Sequence, residues 1–163
     1  MMKTNEENVV QEVFNLLKEK KMTFASAESC TGGNIAHYIT LIPGSSDVFR
    51  GGAVTYATPT KTKVLGVPAN VIECHGVVSR EVAEAMALGT RNLMEADFGI
   101  ATTGVAGPSG GTELTPVGTV WIGIATPSGV NAQCFQFGKG RRKVINQATK
   151  AAYTMLHNAL LSL

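Results

Sequence analysis

Cysteine is scarce in this 163-residue chain, which contains three, and no two of them form a Cys-x-x-Cys pair. A scattered, odd-numbered set is typical of neither a disulfide framework nor a zinc-binding motif, and it favours a reducing, cytoplasmic setting. The three histidines are equally scattered, and no His-Glu-x-x-His sequence accompanies them. We therefore predict that the protein has no metal site and needs no cofactor of that kind.

Long apolar runs are also missing, and no stretch approaches the length that spans a membrane. The N-terminus lacks the basic flank and apolar core of a signal peptide, so we expect no membrane association. Charge of one sign is limited too, because 14 basic and 12 acidic side chains leave a net charge of +2. This balance argues against nucleic acid binding, although a basic cluster occupies residues 139–143.

Apolar periodicity and turn signals predict alternating helices and strands within one domain, residues 1–163. The first helix should be capped by Thr4 or Asn5, a short one by Thr58, and a longer one by Ser79. Strands are predicted at 22–27, 48–57 and 98–102, with a hairpin of 117–126 and 130–137, and a last helix from about 141. We predict an α/β fold in three α/β/α layers, with a mixed sheet because the hairpin adds antiparallel strands.

The predicted bend between the first strand and the second helix has the sequence Ser29-Cys30-Thr31-Gly32-Gly33. A helix N-terminus offers unpaired N–H groups, so Ser29 could attack a substrate there while those groups stabilise the resulting oxyanion. Gly32 and Gly33 would let the substrate approach the backbone. Helix capping by Ser29 or Thr31 is the alternative interpretation. Cys30 is a rival nucleophile, but no histidine near it in sequence could activate it.

A second candidate segment runs from Tyr56 to Lys61. If Thr58 caps the following helix, Lys61 lies in its first turn, where the helix dipole lowers the pKa of a cationic side chain. A neutral lysine can act as a general base for a serine, and Tyr56 could join the same proton network. The alternative is an exposed lysine beside a tyrosine at the edge of the core.

A third candidate is the glycine-rich segment 103–118, TGVAGPSGGTELTPVG. Its backbone amides could surround an anion or form a close wall for a flat ring. It is neither a P-loop, since no Gly-Lys-Ser/Thr ends it, nor a dinucleotide fingerprint, since no helix evidently follows. A purely structural loop remains the alternative. If it binds substrate, the contacts are expected from Thr103, Gly104, Gly107, Gly110 and Gly111.

Together these segments closely resemble the CinA C-terminal domain family. The matching stretches are AESCTGG at 27–33, PGSSDVFRGGAVTYATPTK at 43–61, LGV at 65–67, GVVSREVAEAMA at 76–87 and TGVAGPSGGTELTPVGTVWIGIA at 103–125. The enzymatic members of that family hydrolyse the carboxamide of nicotinamide mononucleotide to nicotinate mononucleotide and ammonia. The resemblance therefore implies this reaction without a cofactor, catalysis by Ser29, Lys61 and Tyr56, substrate contacts that include Thr31 and Ser46, and a homo-oligomer.

One segment departs from the family pattern, which usually has Phe-x-Gly-Asp-Arg before the last helix and another arginine one turn later. Here the sequence is FGKGR at 137–141, and Ile145 stands at the later position. Arg141 is retained beside Arg142, and the resemblance places the substrate phosphate near Arg141. Two other interpretations stay open at this point. One is a non-catalytic nucleotide-binding or regulatory module, and the other is a nucleic-acid-binding role suggested by the family's competence-related name.

Overall fold

The computed structural model describes residues 5–163, and their side chains from residue 8 onward. Thr4 and the side chain of Asn5, the predicted caps of the first helix, lie outside that range. The helices are α1 (Asn5–Lys20), α2 (Asn34–Thr40), α3 (Thr58–Leu65), α4 (Ala69–His75), α5 (Arg80–Leu93) and α6 (Arg141–Leu161). The strands are β1 (Phe24–Glu28), β2 (Phe49–Val54), β3 (Phe98–Gly104), β4 (Thr119–Thr126) and β5 (Gly129–Gln136), and a 3-10 helix spans Ser45–Asp47.

The five strands form one sheet in the order β2-β1-β3-β4-β5. β1 runs parallel to both of its neighbours, and its last residue, Glu28, is level with Val54 of β2 and Thr102 of β3. β4 and β5 add antiparallel pairs, so the predicted mixed sheet is confirmed. Because three parallel strands end together, the segments that follow them meet at one edge of the sheet, where open α/β sheets commonly bind ligands.

Helices cover both faces of the sheet. Phe98 and Ile122 lie on one face, in a core shared with α1, α2 and α6. Alternate residues of the same strands, such as Ala101 and Ala125, face α3 and α5 and pack against Met86. The predicted three-layer α/β/α arrangement is therefore confirmed. The sheet face toward α1, α2 and α6 carries large apolar side chains such as Phe98 and Ile122. The face toward α3 and α5 carries small ones such as Ala101 and Ala125.

Small residues on the second face let α5 lie very close to the sheet. A Cβ atom added to Gly99 would overlap the carbonyl oxygen of Ala87, and one added to Gly123 would overlap that of Ala83. These glycines are needed for this close approach, not for an unusual backbone conformation. The close packing of α5 against the sheet also fixes the position of Ser79, the N-cap of α5, relative to the sheet.

Local structure differs from the sequence prediction in four places. β2 ends at Val54 and not at residue 57, because its partner β1 ends at Glu28, which is level with Val54. Ala57, not Thr58, occupies the N-cap of α3, and no side chain caps that helix. The helix α4 was not predicted, since it has only seven residues. β3 continues to Gly104, two residues beyond the predicted end, because β4 pairs with it that far. The predicted cap of α5 is confirmed, as the Ser79 side chain accepts the N–H of Val82.

Among the described residues, no helix has the length and apolarity needed to cross a membrane.

Candidate active site

The nucleophile and the base predicted from the sequence meet at the edge where the parallel strands end. Ser29 follows β1 directly, and its N–H donates to the carbonyl of Thr102 at 3.1 Å. Lys61 reaches it from α3, with 3.1 Å between Nζ and the Ser29 Oγ. The same Nζ donates to the carbonyl of Thr55 at 2.6 Å. Two residues that are 32 positions apart in sequence thus form a hydrogen-bonded pair.

Burial makes the amine of Lys61 easier to deprotonate. Its side chain is only 1% exposed, and this removal from water lowers the pKa of its amine below that of a free lysine. The sequence-based reasoning expected the helix dipole to lower this pKa, and the structure adds desolvation by burial, which acts in the same direction. In the neutral amine one N–H can remain on the Thr55 carbonyl, which leaves the lone pair free to accept the Ser29 proton.

Cys30, the rival nucleophile, is buried beside the pair. Burial raises the pKa of its thiol to about 11, more than the hydrogen bond to Thr102 lowers it. The thiol is therefore protonated at neutral pH, and only a thiolate is an effective nucleophile. This environment favours Ser29 over Cys30 as the attacking group.

A buried carboxylate that the sequence analysis did not single out organises the turn after Ser29. Glu28 is 1% exposed and accepts the Thr31 hydroxyl at 2.7 Å and the N–H groups of Ile35 and Ala36 at 2.9 and 3.1 Å. It thereby satisfies the first free N–H groups of α2, whose N-cap Gly33 has no side chain to do so. The sequence did contain a signal for this role: Glu28 is an acidic residue shortly before α2, and α2 has a glycine at its N-cap.

This arrangement limits which N–H groups could hold an oxyanion. The helical donors at the start of α2 are already bound to Glu28, and the Gly32 N–H donates to the Ser29 carbonyl at 3.0 Å. The N–H groups of Cys30, Thr31 and Gly33 donate to no backbone group within residues 5–163, and of these three residues Cys30 is the one that lines the pocket. Any oxyanion site in this turn must therefore use the bend itself and not the helix.

A pocket of about 300 Å³ opens in front of Ser29. Eight of the predicted site residues line it: Ser29, Tyr56, Lys61, Thr103, Gly104, Gly107, Gly110 and Arg141. Val77 and Val78, between α4 and α5, also line it and were not predicted. Among the described residues, no group of three His, Cys, Asp or Glu side chains is placed to bind a metal ion.

The other predicted contacts lie outside this pocket. Thr31 is buried, with its hydroxyl on Glu28 and on the Thr102 hydroxyl at 2.9 Å, and Gly32, Gly33 and Gly111 are not among the lining residues. Ser46 lies in the 3-10 helix before β2, at the opposite end of the parallel pair β1–β2. A six-residue strand spans roughly 20 Å. Ser46 therefore does not line this pocket, and its predicted contact with a substrate stays a prediction.

Arg141, the first residue of α6, links two sides of the pocket. Its Nη1 donates to the carbonyl of Gly107 at 2.7 Å, and its Nη2 donates to the hydroxyl oxygen of Tyr56 at 2.6 Å. Since arginine can only donate, the Tyr56 oxygen accepts this bond and its own proton stays available to another acceptor. Among the described residues, the Tyr56 hydroxyl makes no hydrogen bond to Ser29 or Lys61.

Comparison with known proteins gives one consistent family. A model of the CinA C-terminal domain matches residues 6–160. A CinA-like protein of Flavobacterium psychrophilum is 49% identical over 146 residues, which cover 90% of this chain and 35% of that protein. One from Shewanella denitrificans is 44% identical over 155 residues, which cover 94% of this chain and 37% of that protein. The chain thus spans about a third of the length of these relatives.

Solved structures agree with this result. A CinA superfamily protein of Klebsiella pneumoniae superposes with a TM-score of 0.94 at 31% identity, covering 98% of this chain and 100% of that one. The competence/damage inducible protein CihA of Agrobacterium tumefaciens superposes with a TM-score of 0.93 at 34% identity, covering 98% of each chain.

Proposed function

Because the chain belongs to the CinA C-terminal domain family, we propose that it hydrolyses the carboxamide of nicotinamide mononucleotide to nicotinate mononucleotide and ammonia. The observation that carries this proposal is the 3.1 Å hydrogen bond between Ser29 and a buried Lys61 at the wall of a pocket. A serine paired with a lysine that can be neutral is a competent machinery for acyl transfer from an amide.

The first half of the reaction forms an ester on Ser29. Neutral Lys61 takes the proton of the Ser29 hydroxyl while the Oγ attacks the carboxamide carbon. The N–H of Cys30, which lines the pocket and follows the nucleophile, is the candidate donor to the oxyanion. The C–N bond then breaks, and the departing nitrogen takes the proton that Lys61 received from Ser29, either directly or through Tyr56, which gives up its own proton and is reprotonated by Lys61. Lys61 is then neutral again. The proton of the Tyr56 hydroxyl is available for this because Arg141 supplies the donor to its oxygen.

The second half releases the acid. A water molecule loses a proton to Lys61 and attacks the ester carbon, the bond to the Ser29 Oγ breaks, and the serine recovers a proton. No step requires a metal ion or an organic cofactor.

The pocket suits a flat ring that carries an amide. Its volume of about 300 Å³ is at the small end of the range for small-molecule sites. With the carboxamide placed at Ser29, the pyridine ring would lie against the loop from Gly104 to Gly110. The ribose and phosphate would then extend toward Arg141 at the rim. The guanidinium retains donors beyond the two that bind Tyr56 and Gly107.

The test is ammonia release from nicotinamide mononucleotide, with the acid product identified by chromatography. We expect turnover by the wild-type protein and a loss of several orders of magnitude in a folded Ser29→Ala variant, because the nucleophile is gone. The matched variant Cys30→Ala should retain most of the activity. Near-wild-type turnover by Ser29→Ala would overturn the serine mechanism. No turnover of this or any related amide by the wild-type protein would indicate a non-catalytic binding module.

A further inference from the structure

Thr103 lies directly beside the nucleophile. Glu28 of β1 and Thr102 of β3 are register partners, and the Ser29 N–H extends this parallel pairing by one more bond. Ser29 and Thr103 are therefore the next neighbours, with their Cα atoms about 4.8 Å apart across the two strands. Side chains alternate along a strand, so both lie on the α3 and α5 face of the sheet, and both line the pocket.

The hydroxyl of Thr103 donates its only proton to a hydrogen bond within the protein. Its Oγ1 donates to the carbonyl of Val77 at 2.7 Å, and a carbonyl oxygen can only accept. Thr103 is 1% exposed, and the bond ties it to the segment before α5. Toward a ligand this hydroxyl can therefore offer only lone pairs, which bind an N–H group and repel an oxygen atom.

We propose that Thr103 is a specificity-determining residue, which selects a carboxamide over the corresponding carboxylate by accepting an N–H of the amide nitrogen. The inference rests on the proposed function, since it concerns the group that the pocket presents beside Ser29. With the carboxamide carbon at the Ser29 Oγ, the nitrogen lies toward Thr103 and the oxygen toward the N–H groups of the turn.

The same contact has the opposite effect on the product. A carboxylate has no proton on either oxygen, so one of them would face the lone pairs of Thr103, whose side chain is buried. A mismatched buried polar contact of this kind disfavours binding by about tenfold to a hundredfold. The residue thus helps to expel the acid after hydrolysis and limits product inhibition.

The experiment measures equilibrium binding in a Ser29→Ala background, where turnover cannot change the ligand. Nicotinamide mononucleotide and nicotinate mononucleotide are titrated separately into this protein by calorimetry at one fixed pH. The same titrations are made with Thr103→Val and Thr103→Ser added to it. Thr90→Val is the matched control, because the buried Thr90 hydroxyl also donates to a backbone carbonyl, that of Ser26, but does not line the pocket.

We expect the Ser29→Ala protein to bind the amide at least about tenfold more tightly than the acid. Thr103→Val should bring this ratio close to one, whereas Thr103→Ser and Thr90→Val should preserve it. An unchanged ratio in Thr103→Val, equal weakening of both ligands, or loss of the ratio in Thr103→Ser would overturn the inference. Binding without amide preference when Thr103 is intact would also overturn it, and would leave the proposed function standing. Binding of neither ligand to the Ser29→Ala protein would overturn both.

Discussion

Replacing Lys61 should reduce activity strongly and change the free energy of unfolding only slightly. Lys61→Met keeps a side chain of similar length but removes the amine that contacts Ser29 and the Thr55 carbonyl. Loss of a general base costs about 10²- to 10⁴-fold in rate, and we expect the upper end because Lys61 serves both halves of the proposed reaction. Stability should change much less. The Thr55 carbonyl loses its donor, at about 1–3 kcal/mol, while a buried amine no longer has to be desolvated.

Lys61→Arg is the informative companion. A guanidinium stays protonated at any working pH, so it cannot accept the Ser29 proton, and activity should be as low as in Lys61→Met. Its fixed charge in a site that is 1% exposed should also destabilise the fold more than methionine does. Retaining the positive charge at this position should therefore not restore activity.

The pH dependence follows from the lowered pKa of Lys61. Activity should rise with pH as the amine loses its proton, to a midpoint below that of a free lysine. Between the folded-state pKa and that of a free lysine, the unfolded chain binds more protons, so the free energy of unfolding should increase with pH across this window. Lys61→Met should lack that contribution.

The assays are ammonia release across a pH series and thermal melting of the three proteins. Substantial activity in Lys61→Arg would refute the reasoning, because it would make Lys61 an electrostatic or structural group. Wild-type activity that falls as pH rises through the titration of Lys61 would refute it too.

Two further predictions concern the rim of the pocket and the close contact of α5. Arg141→Ala should lower the turnover of nicotinamide mononucleotide more than that of its riboside, because both reactions lose the donor to Tyr56 and only the mononucleotide also loses the guanidinium beside its phosphate. Equal losses for the two substrates in parallel kinetics would contradict the phosphate contact, and unchanged riboside turnover would contradict the role through Tyr56. Gly123→Ala should lower the free energy of unfolding by about 1–3 kcal/mol, because the new Cβ overlaps the Ala83 carbonyl. Gly129→Ala is its control, since nothing lies within 4 Å of the added atom, and equal melting temperatures of the two variants would contradict the overlap.

Local sequence patterns predicted most of the elements of the fold. Apolar spacing marked α1 and α6, and the side chain of Ser79 begins α5 as expected. The turn around residue 128 joins β4 and β5 as predicted. These features are decided within a few residues of chain, so a sequence shows them directly. Shorter elements such as α4 carry too little periodic signal, and the end of β3 depends on pairing with a distant strand.

The sequence by itself also supplied the residue types of the site: a serine at a strand-to-helix bend, a lysine in a short helix and a glycine-rich segment. Only the tertiary structure decided how they meet. The sheet order brings Ser29 next to Thr103, burial lowers the pKa of Lys61, and the strand direction takes Ser46 to the far end of the sheet. The sequence placed Glu28 shortly before α2, but only its contacts show that its carboxylate organises the turn. Proton direction and desolvation depend on neighbours that are dozens of residues away in the chain, and folding is what brings those neighbours together.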